Sequence, residues 1–478
     1  MNSTDITVLS SQKEAKETFR EMISETVDAI LETIVDDNAF SGIDPYTLRK
    51  EIEALPLLPE AGDSWQNVFS SLKATILPNL LRTWSPCYMP HLHSPALIES
   101  IAAELIIAAF NQSMDSWDQG PAATELEVKI INELCTLFGY SDGDGTFTSG
   151  GSQSNISALV ALRDKYLLEK GWDVKKHGLP DDWRKFRIYT SSISHFSFDK
   201  GSHMAGLGYD AVVKLPVDGK MRIDIKEAER IISDDYNAGL KPFLIVATIG
   251  TTDFGSIDQV DELRRIADEY GAYLHADAAY GSGAILSSYS SRLGNLSLAD
   301  SITVDFHKMF LLPISCSALL VKDKSTLETF QLHADYLNRE EDEEEGYINL
   351  VGKSMQTTRR FDALKVYISF RMRGRRGMKL IMDKVIENAE YFYSRVSSDS
   401  AFIAPCPPSL SSVVFASNKG DETNKAIRKA LMKEGIIIGQ TVLGDKVMLK
   451  FTLLNPQLTH GHLDQILWRI KELAETLQ

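Results

Sequence analysis

The middle of the chain alternates between short, uniformly apolar runs and amphipathic segments, and this alternation constrains the fold more than any other feature. Phe243-Leu244-Ile245-Val246-Ala247 is apolar throughout and ends at the polar turn Gly250-Thr251-Thr252-Asp253. Asp258 to Tyr270 then sets Val260, Leu263, Ile266 and Ala267 on one helical face, with Gly271 as a C-terminal stop. Ala272-Tyr273-Leu274-His275-Ala276 is the next strand, and Ser301–Val304 and Ala318–Val321 repeat the signal. Uniformly apolar strands separated by helices predict a largely parallel sheet covered on both faces, an α/β fold.

The flanks differ from this centre. Glu14 to Val35 places Phe19, Ile23, Val27, Ile30 and Ile34 at helical spacing, so residues 1–100 are expected to form a helical arm that packs on something else. Residues 101–366 form the expected large α/β domain. From about Tyr367 a long helix is expected through Asn388, opening an α+β domain over 367–478 with strands near Ser412–Phe415 and Val447–Thr452 and a last helix after Leu458. No repeat and no long linker divides the chain.

Composition narrows the classes of function. A formal net charge of −16 disfavours nucleic acid and anionic membranes as partners. The longest apolar stretch, around Leu105–Phe110, is too short to span a bilayer. Met1-Asn2-Ser3-Thr4-Asp5 lacks the basic start and apolar run of a signal peptide. Cys87, Cys135, Cys316 and Cys406 are far apart, which argues against a zinc site or disulfide framework and suits a reducing cytoplasm.

Open α/β sheets bind ligands at the carboxyl ends of their strands, so polar residues there carry the most weight. Four places qualify. Thr148-Ser149-Gly150-Gly151-Ser152-Gln153-Ser154-Asn155 leads into a helix expected from near Ile156. It is either an anion cradle or an ordinary Gly/Ser cap. In His275-Ala276-Asp277-Ala278-Ala279-Tyr280 the acid either faces a ligand or caps the next turn. Val304-Asp305-Phe306-His307-Lys308 ends in adjacent His and Lys. A lysine behind an apolar run is either solvated or desolvated enough to serve as a Schiff-base amine. His195, in Ser194-His195-Phe196-Ser197, is either structural or part of the same site.

An anion cradle, a buried acid and a strand-end lysine together match the phosphate, pyridine nitrogen and aldehyde of pyridoxal 5'-phosphate (PLP). The order and spacing of Asp277-x-Ala279 and His307-Lys308 resemble the group II PLP-dependent amino acid decarboxylases, over most of the chain from about Pro90. The resemblance implies the aspartate aminotransferase-like fold (fold type I) and a homodimer with active sites between subunits, clasped by the N-terminal helices. Four further stretches resemble the bacterial branch that makes diamines from diaminobutyrate, ornithine or lysine, often for siderophore or polyamine synthesis. They are Ser113–Gln119, Ala247–Asp253, His333–Asn338 and Thr358–Lys365.

By the same resemblance, Lys308 carries the cofactor, Asp277 pairs with its ring nitrogen, His195 stacks on the ring and Ala279 leaves room beneath it. Thr252 lies near the ring's polar edge. Ser152, Gln153 (through its backbone), Ser154 and His307 hold the phosphate. The family often has Asn where Asp305 stands, which leaves any phosphate contact from Asp305 open. Tyr336 matches a loop tyrosine that returns the proton to Cα, and Arg359 matches an arginine for the substrate carboxylate, or is a surface arginine beside Arg360. His93 and Asp118 fall where the substrate pocket is lined, Asp118 as the candidate for a distal amine. The expected reaction is decarboxylation of a small basic L-amino acid, diaminobutyrate first and ornithine or lysine next. Glutamate or aromatic decarboxylation, transamination, carbon–carbon lyase chemistry and a non-catalytic subunit are the alternatives.

Overall fold

The computed structural model describes residues 7–332, 341 and 344–477. Among them, a seven-stranded sheet forms the centre of the molecule, in the order β1-β7-β6-β5-β4-β2-β3. Its strands are β1 (Asp144–Thr148), β2 (Phe186–Ser191), β3 (Val212–Leu215), β4 (Lys241–Thr248), β5 (Tyr273–Ala278), β6 (Ser301–Asp305) and β7 (Ser317–Val321). The pairs β2–β3, β2–β4, β4–β5 and β5–β6 are parallel. Only β7 runs backwards, antiparallel to both β1 and β6. Six strands therefore point their carboxyl ends at one edge of the sheet.

The apolar runs become the strands expected of them. Every residue of β6 and β7 is buried, as is every residue of β4 after Lys241, because helices cover both faces. The helix Val260–Tyr270 buries the four residues anticipated, Val260, Leu263, Ile266 and Ala267, and ends at Gly271 with φ 63°. Each of the valine, leucine and isoleucine side chains so removed from water contributes roughly 1.5–3 kcal/mol, and the alanine methyl less.

A four-stranded antiparallel sheet makes the smaller unit, in the order β10-β11-β9-β8, from β8 (Phe402–Ile403), β9 (Ser412–Ser417), β10 (Gly439–Leu443) and β11 (Lys446–Thr452). Phe392 stacks on Phe451 at 4.4 Å and meets Phe415 edge-on at 5.2 Å, forming the centre of its core. The expected domain break at 366/367 needs correction. It falls inside a helical stretch, Ala363–Ser398, that Gly374 (φ 59°, ψ −179°) divides into two helices, the second running on into the small unit. In that second helix Met378, Met382, Val385 and Ile386 pack in the large core, while Ala389, Phe392 and Val396 pack in the small one. The change in sequence pattern marked the start of a helix, not the end of a core.

The first helix, Lys13–Glu32, buries only Ala15 and Ala29 within its own chain. Val27 and Ile30 are 48% and 45% exposed, and Ile34 lies beyond the helix end. Among the described residues, no helix is long and apolar enough to cross a membrane.

Candidate active site

A cavity of about 360 Å³ opens at the shared carboxyl edge of the sheet. Residues following β1, β2, β4, β5 and β6 converge on it: Ser152 and Gln153, His195, Thr252, Asp277 and Ala279, and His307 and Lys308. The chain separates these groups by more than a hundred residues. They meet because parallel strands exit at one edge, as the strand-end argument anticipated.

After β1 the helix Gly151–Leu168 starts at Gly151, earlier than the expected Ile156. Its first backbone N–H groups have no partner within the helix and its dipole favours an anion there. A side chain at Gly151 would meet the Ala279 methyl at 2.9 Å and Asp305 Oδ2 at 3.0 Å, so only glycine lets the three segments close in. The Gln153 side chain turns back to accept from the Ser149 N–H and hydroxyl, both at 2.7 Å. Its backbone is left as the part available to a ligand.

Ser154 is a correction. Its hydroxyl lies 2.6 Å from that of Thr148 and 3.0 Å from that of Ser317, and its N–H donates to Gly150 O. Two helical steps turn a side chain by about 200°, so with the helix starting at Gly151, Ser152 and Ser154 cannot face the same cavity.

At the end of β5, Asp277 is 5% exposed and accepts from Asn155 Nδ2 at 2.8 Å and from the Ala279 N–H at 3.2 Å. His195 Nδ1 accepts from the Ser197 N–H at 3.2 Å. Burial lowers the pKa of His195, against an opposing pull from Asp277, so its ring is neutral near pH 7 with the proton on Nε2. Beyond β6, Lys308 Nζ pairs with Asp305 Oδ2 at 3.0 Å, and His307 Nε2 is 3.5 Å from the same oxygen. The pKa of His307 is also held down, chiefly by burial. Asp305 is 1% exposed, and its Oδ1 has no hydrogen-bond partner among the described residues. The β4 exit is held from behind by Asp258, which takes the N–H groups of Thr248 and Ile223 at 2.8 Å each, and burial pushes its carboxyl up to about 7.

Three expected substrate residues are not brought to this cavity. Arg359 is buried with Glu127, Nη2 to Oε1 at 2.8 Å and Nη1 to Oε2 at 3.2 Å, a bidentate pair that engages both terminal nitrogens. Asp118 is exposed and accepts from the Ser116 hydroxyl at 2.5 Å. His93 sits 3.3 Å from the Tyr88 hydroxyl and is close enough to His307 for that ring to depress its pKa, after the larger effect of burial. It does not line the cavity. Tyr336 lies outside the described residues.

Asn155 received no role from sequence. The signal was there: three residues after Ser152 returns a helix to nearly the same face, provided its start is known.

The residues fit PLP. An acceptor-only carboxylate, an amine and a helix start rich in free N–H groups share one cavity, and two atoms of lining residues, Asp305 Oδ1 and Thr248 Oγ1, are buried without partners. Comparison with known proteins agrees. The pyridoxal-dependent decarboxylase conserved domain matches residues 45–418. An L-2,4-diaminobutyrate decarboxylase of Rhizobium meliloti (strain 1021) is 35% identical, covering 98% of this chain and 94% of the relative. One from Acinetobacter baumannii is 33% identical, covering 96% and 93%. The crystal structure of the glutamate decarboxylase domain of diaminobutyrate-pyruvate transaminase and L-2,4-diaminobutyrate decarboxylase from Vibrio parahaemolyticus superposes with a TM-score of 0.90 at 35% identity, covering 98% of both chains. With its fold, its cavity and nearly its whole length in agreement, the chain belongs to the pyridoxal-dependent decarboxylase family and is a PLP-dependent carboxy-lyase.

Proposed function

We propose that the chain decarboxylates L-2,4-diaminobutyrate to 1,3-diaminopropane and CO2. One observation carries the reaction: Lys308, Asp277 and the Gly151 helix start line a single cavity. The substrate rests on the two relatives named for it, each matched over nearly full length. Against glutamate stands the composition of the cavity. Among the described lining residues of one subunit there is no arginine to meet a distal carboxylate.

Bound PLP supplies an electron sink for the pair left at Cα when CO2 departs. Lys308 holds the cofactor's aldehyde carbon, and its ammonium must first lose a proton, with Asp305 Oδ2 beside it. Asp277 keeps the ring nitrogen protonated, because an adjacent negative charge favours the cationic form. Ala279 and neutral His195 would offer small and flat surfaces to the two ring faces, Thr252 would meet the ring edge, and Ser152, the Gln153 backbone and His307 would hold the phosphate. Tyr336 returns a proton to Cα. The active form is a homodimer: Val27, Ile30 and Leu31 on the arm, and Ile98 and Phe110 at 81% and 73% exposure, are apolar surface that a second subunit would cover.

The test is CO2 release and diamine formation across diaminobutyrate, ornithine, lysine, glutamate, DOPA and histidine, with Lys308→Ala as the blank. Diaminobutyrate is expected to give the highest kcat/KM. Preference for glutamate would overturn the substrate and leave the cofactor roles standing.

A further inference from the structure

We infer that Asn155 is a positioning residue for Asp277: it fixes which carboxylate lone pairs remain free for the cofactor's ring nitrogen. It does so as the hub of a buried chain that crosses four elements. Asn155 is 2% exposed, His275 and Thr303 are 0%, Ser301 is 0% and Ser197 is 1%. Asn155 Nδ2 lies 2.8 Å from Asp277 Oδ2 and 2.9 Å from the Ser197 hydroxyl. Its Oδ1 lies 2.7 Å from the Thr303 hydroxyl and 3.1 Å from His275 Nε2.

One assignment of donors and acceptors satisfies every member of this chain, including the Thr303 hydroxyl, which also lies 3.3 Å from His275 Nε2. An ionised carboxylate only accepts, so the Asn155 atom facing Asp277 is the NH2 group. Oδ1 therefore faces Thr303 and His275, and both must donate to it. Burial lowers the pKa of His275 to about 4, so the ring is neutral and has one proton, which the contact with Oδ1 places on Nε2. His275 Nδ1 must then accept, and the Ser301 hydroxyl, 2.7 Å away, donates to it. All four hydrogen-bonding capacities of Asn155 are filled, so the amide cannot flip without breaking bonds at four sites.

At Asp277 the result is specific. Oδ2 is held by Asn155 and Oδ1 by the Ala279 N–H, so both oxygens are fixed by neutral donors and the remaining lone pairs keep one direction. The chain reaches the other side of the cavity through Ser197. Its hydroxyl takes the second amide hydrogen of Asn155, and its N–H fixes Nδ1 of His195. The acid and the ring that face the cofactor are thus set by one amide.

The inference rests on PLP binding and is independent of which amino acid is decarboxylated. Asn155→Asp keeps the shape and replaces the donor with an acceptor, so two carboxyls face each other and share a proton. Asn155→Leu keeps the bulk and removes the donor. Both variants are expected to bind PLP about ten- to a hundredfold more weakly in titrations of apoprotein, the effect of losing a bond to a charged group. With cofactor labelled at the ring nitrogen, the 15N resonance should shift from the protonated position of the wild type toward the neutral one. Thr303→Val, which loosens Asn155 without touching Asp277, should move both readouts in the same direction by a smaller amount. It serves if the first two variants fail to fold. Wild-type titration is the control for cofactor binding itself. Folded variants with PLP affinity within twofold of wild type and an unmoved 15N resonance would overturn the assignment and leave Asn155 as packing.

Discussion

Two buried acids end neighbouring strands of the same sheet, and their surroundings are opposite. Asp277, near the end of β5, is held by neutral donors on both oxygens. Asp305, after β6, has one oxygen paired with the Lys308 ammonium and the other without a partner among the described residues. The first arrangement is complete before any ligand arrives and has no reason to change. The second is provisional, because its charged partner is the amine that must engage the cofactor. A site of this kind has a fixed wall and an exchangeable one. The acid on the fixed wall sets the electronics; the acid on the exchangeable wall governs how the site is entered and left.

The comparison breaks if the two acids respond alike. Asp277→Ala should lower decarboxylation on the order of 100- to 1,000-fold, as for loss of a preorganised electrostatic group, and should weaken PLP binding. Near-normal turnover would reduce Asp277 to a turn cap. A second measurement probes what lies behind the fixed wall. His275 has its pKa lowered by burial to about 4, against an ordinary value of 6.5, so the unfolded chain takes up this proton before the folded one. Its neutral form contributes stability above pH 6.5 that is lost as pH falls toward 4. Urea unfolding of wild type should lose on the order of 3 kcal/mol more over that window than His275→Gln does. Equal losses would show that the network does not depend on a neutral ring. The smallest effect is expected at the exchangeable wall. Asp305→Asn removes a negative charge beside the anion cradle and frees Lys308, so PLP should bind severalfold more tightly. Weaker binding would make Asp305 a cofactor ligand in its own right and erase the contrast.

What sequence revealed follows the same physical line. Strands β4 and β7 were legible because burial on both faces favours apolar runs, and β5 and β6 because their apolar residues recur between turn signals despite His275, Asp277, Ser301 and Thr303. By contrast β1, with Asp144, Gly145 and two threonines, was not, since its polar groups are tolerated only through partners such as Ser154 and Ser317. Lys308, Asp277 and His195 were legible because strand ends in a parallel sheet converge whatever the loops do. Arg359 misled because the local pair Arg359-Arg360 has no mark of Glu127, 232 positions away, which claims one of them. Asn155 was not legible as a hub for the same reason, since its four partners come from three other segments: β5, β6 and the helix Ser197–Met204.

The helical stretch Ala363–Ser398 also bears on how such chains can be recombined. Its successive turns serve two cores, so a chimera joined at position 366 would strip Met378, Met382, Val385 and Ile386 from the large domain and leave a hole under the sheet. The interchangeable module of this architecture begins between Ile386 and Ala389, inside the continuous helix that follows Gly374. A graft there has to preserve helical phase across the joint as well as sequence on either side.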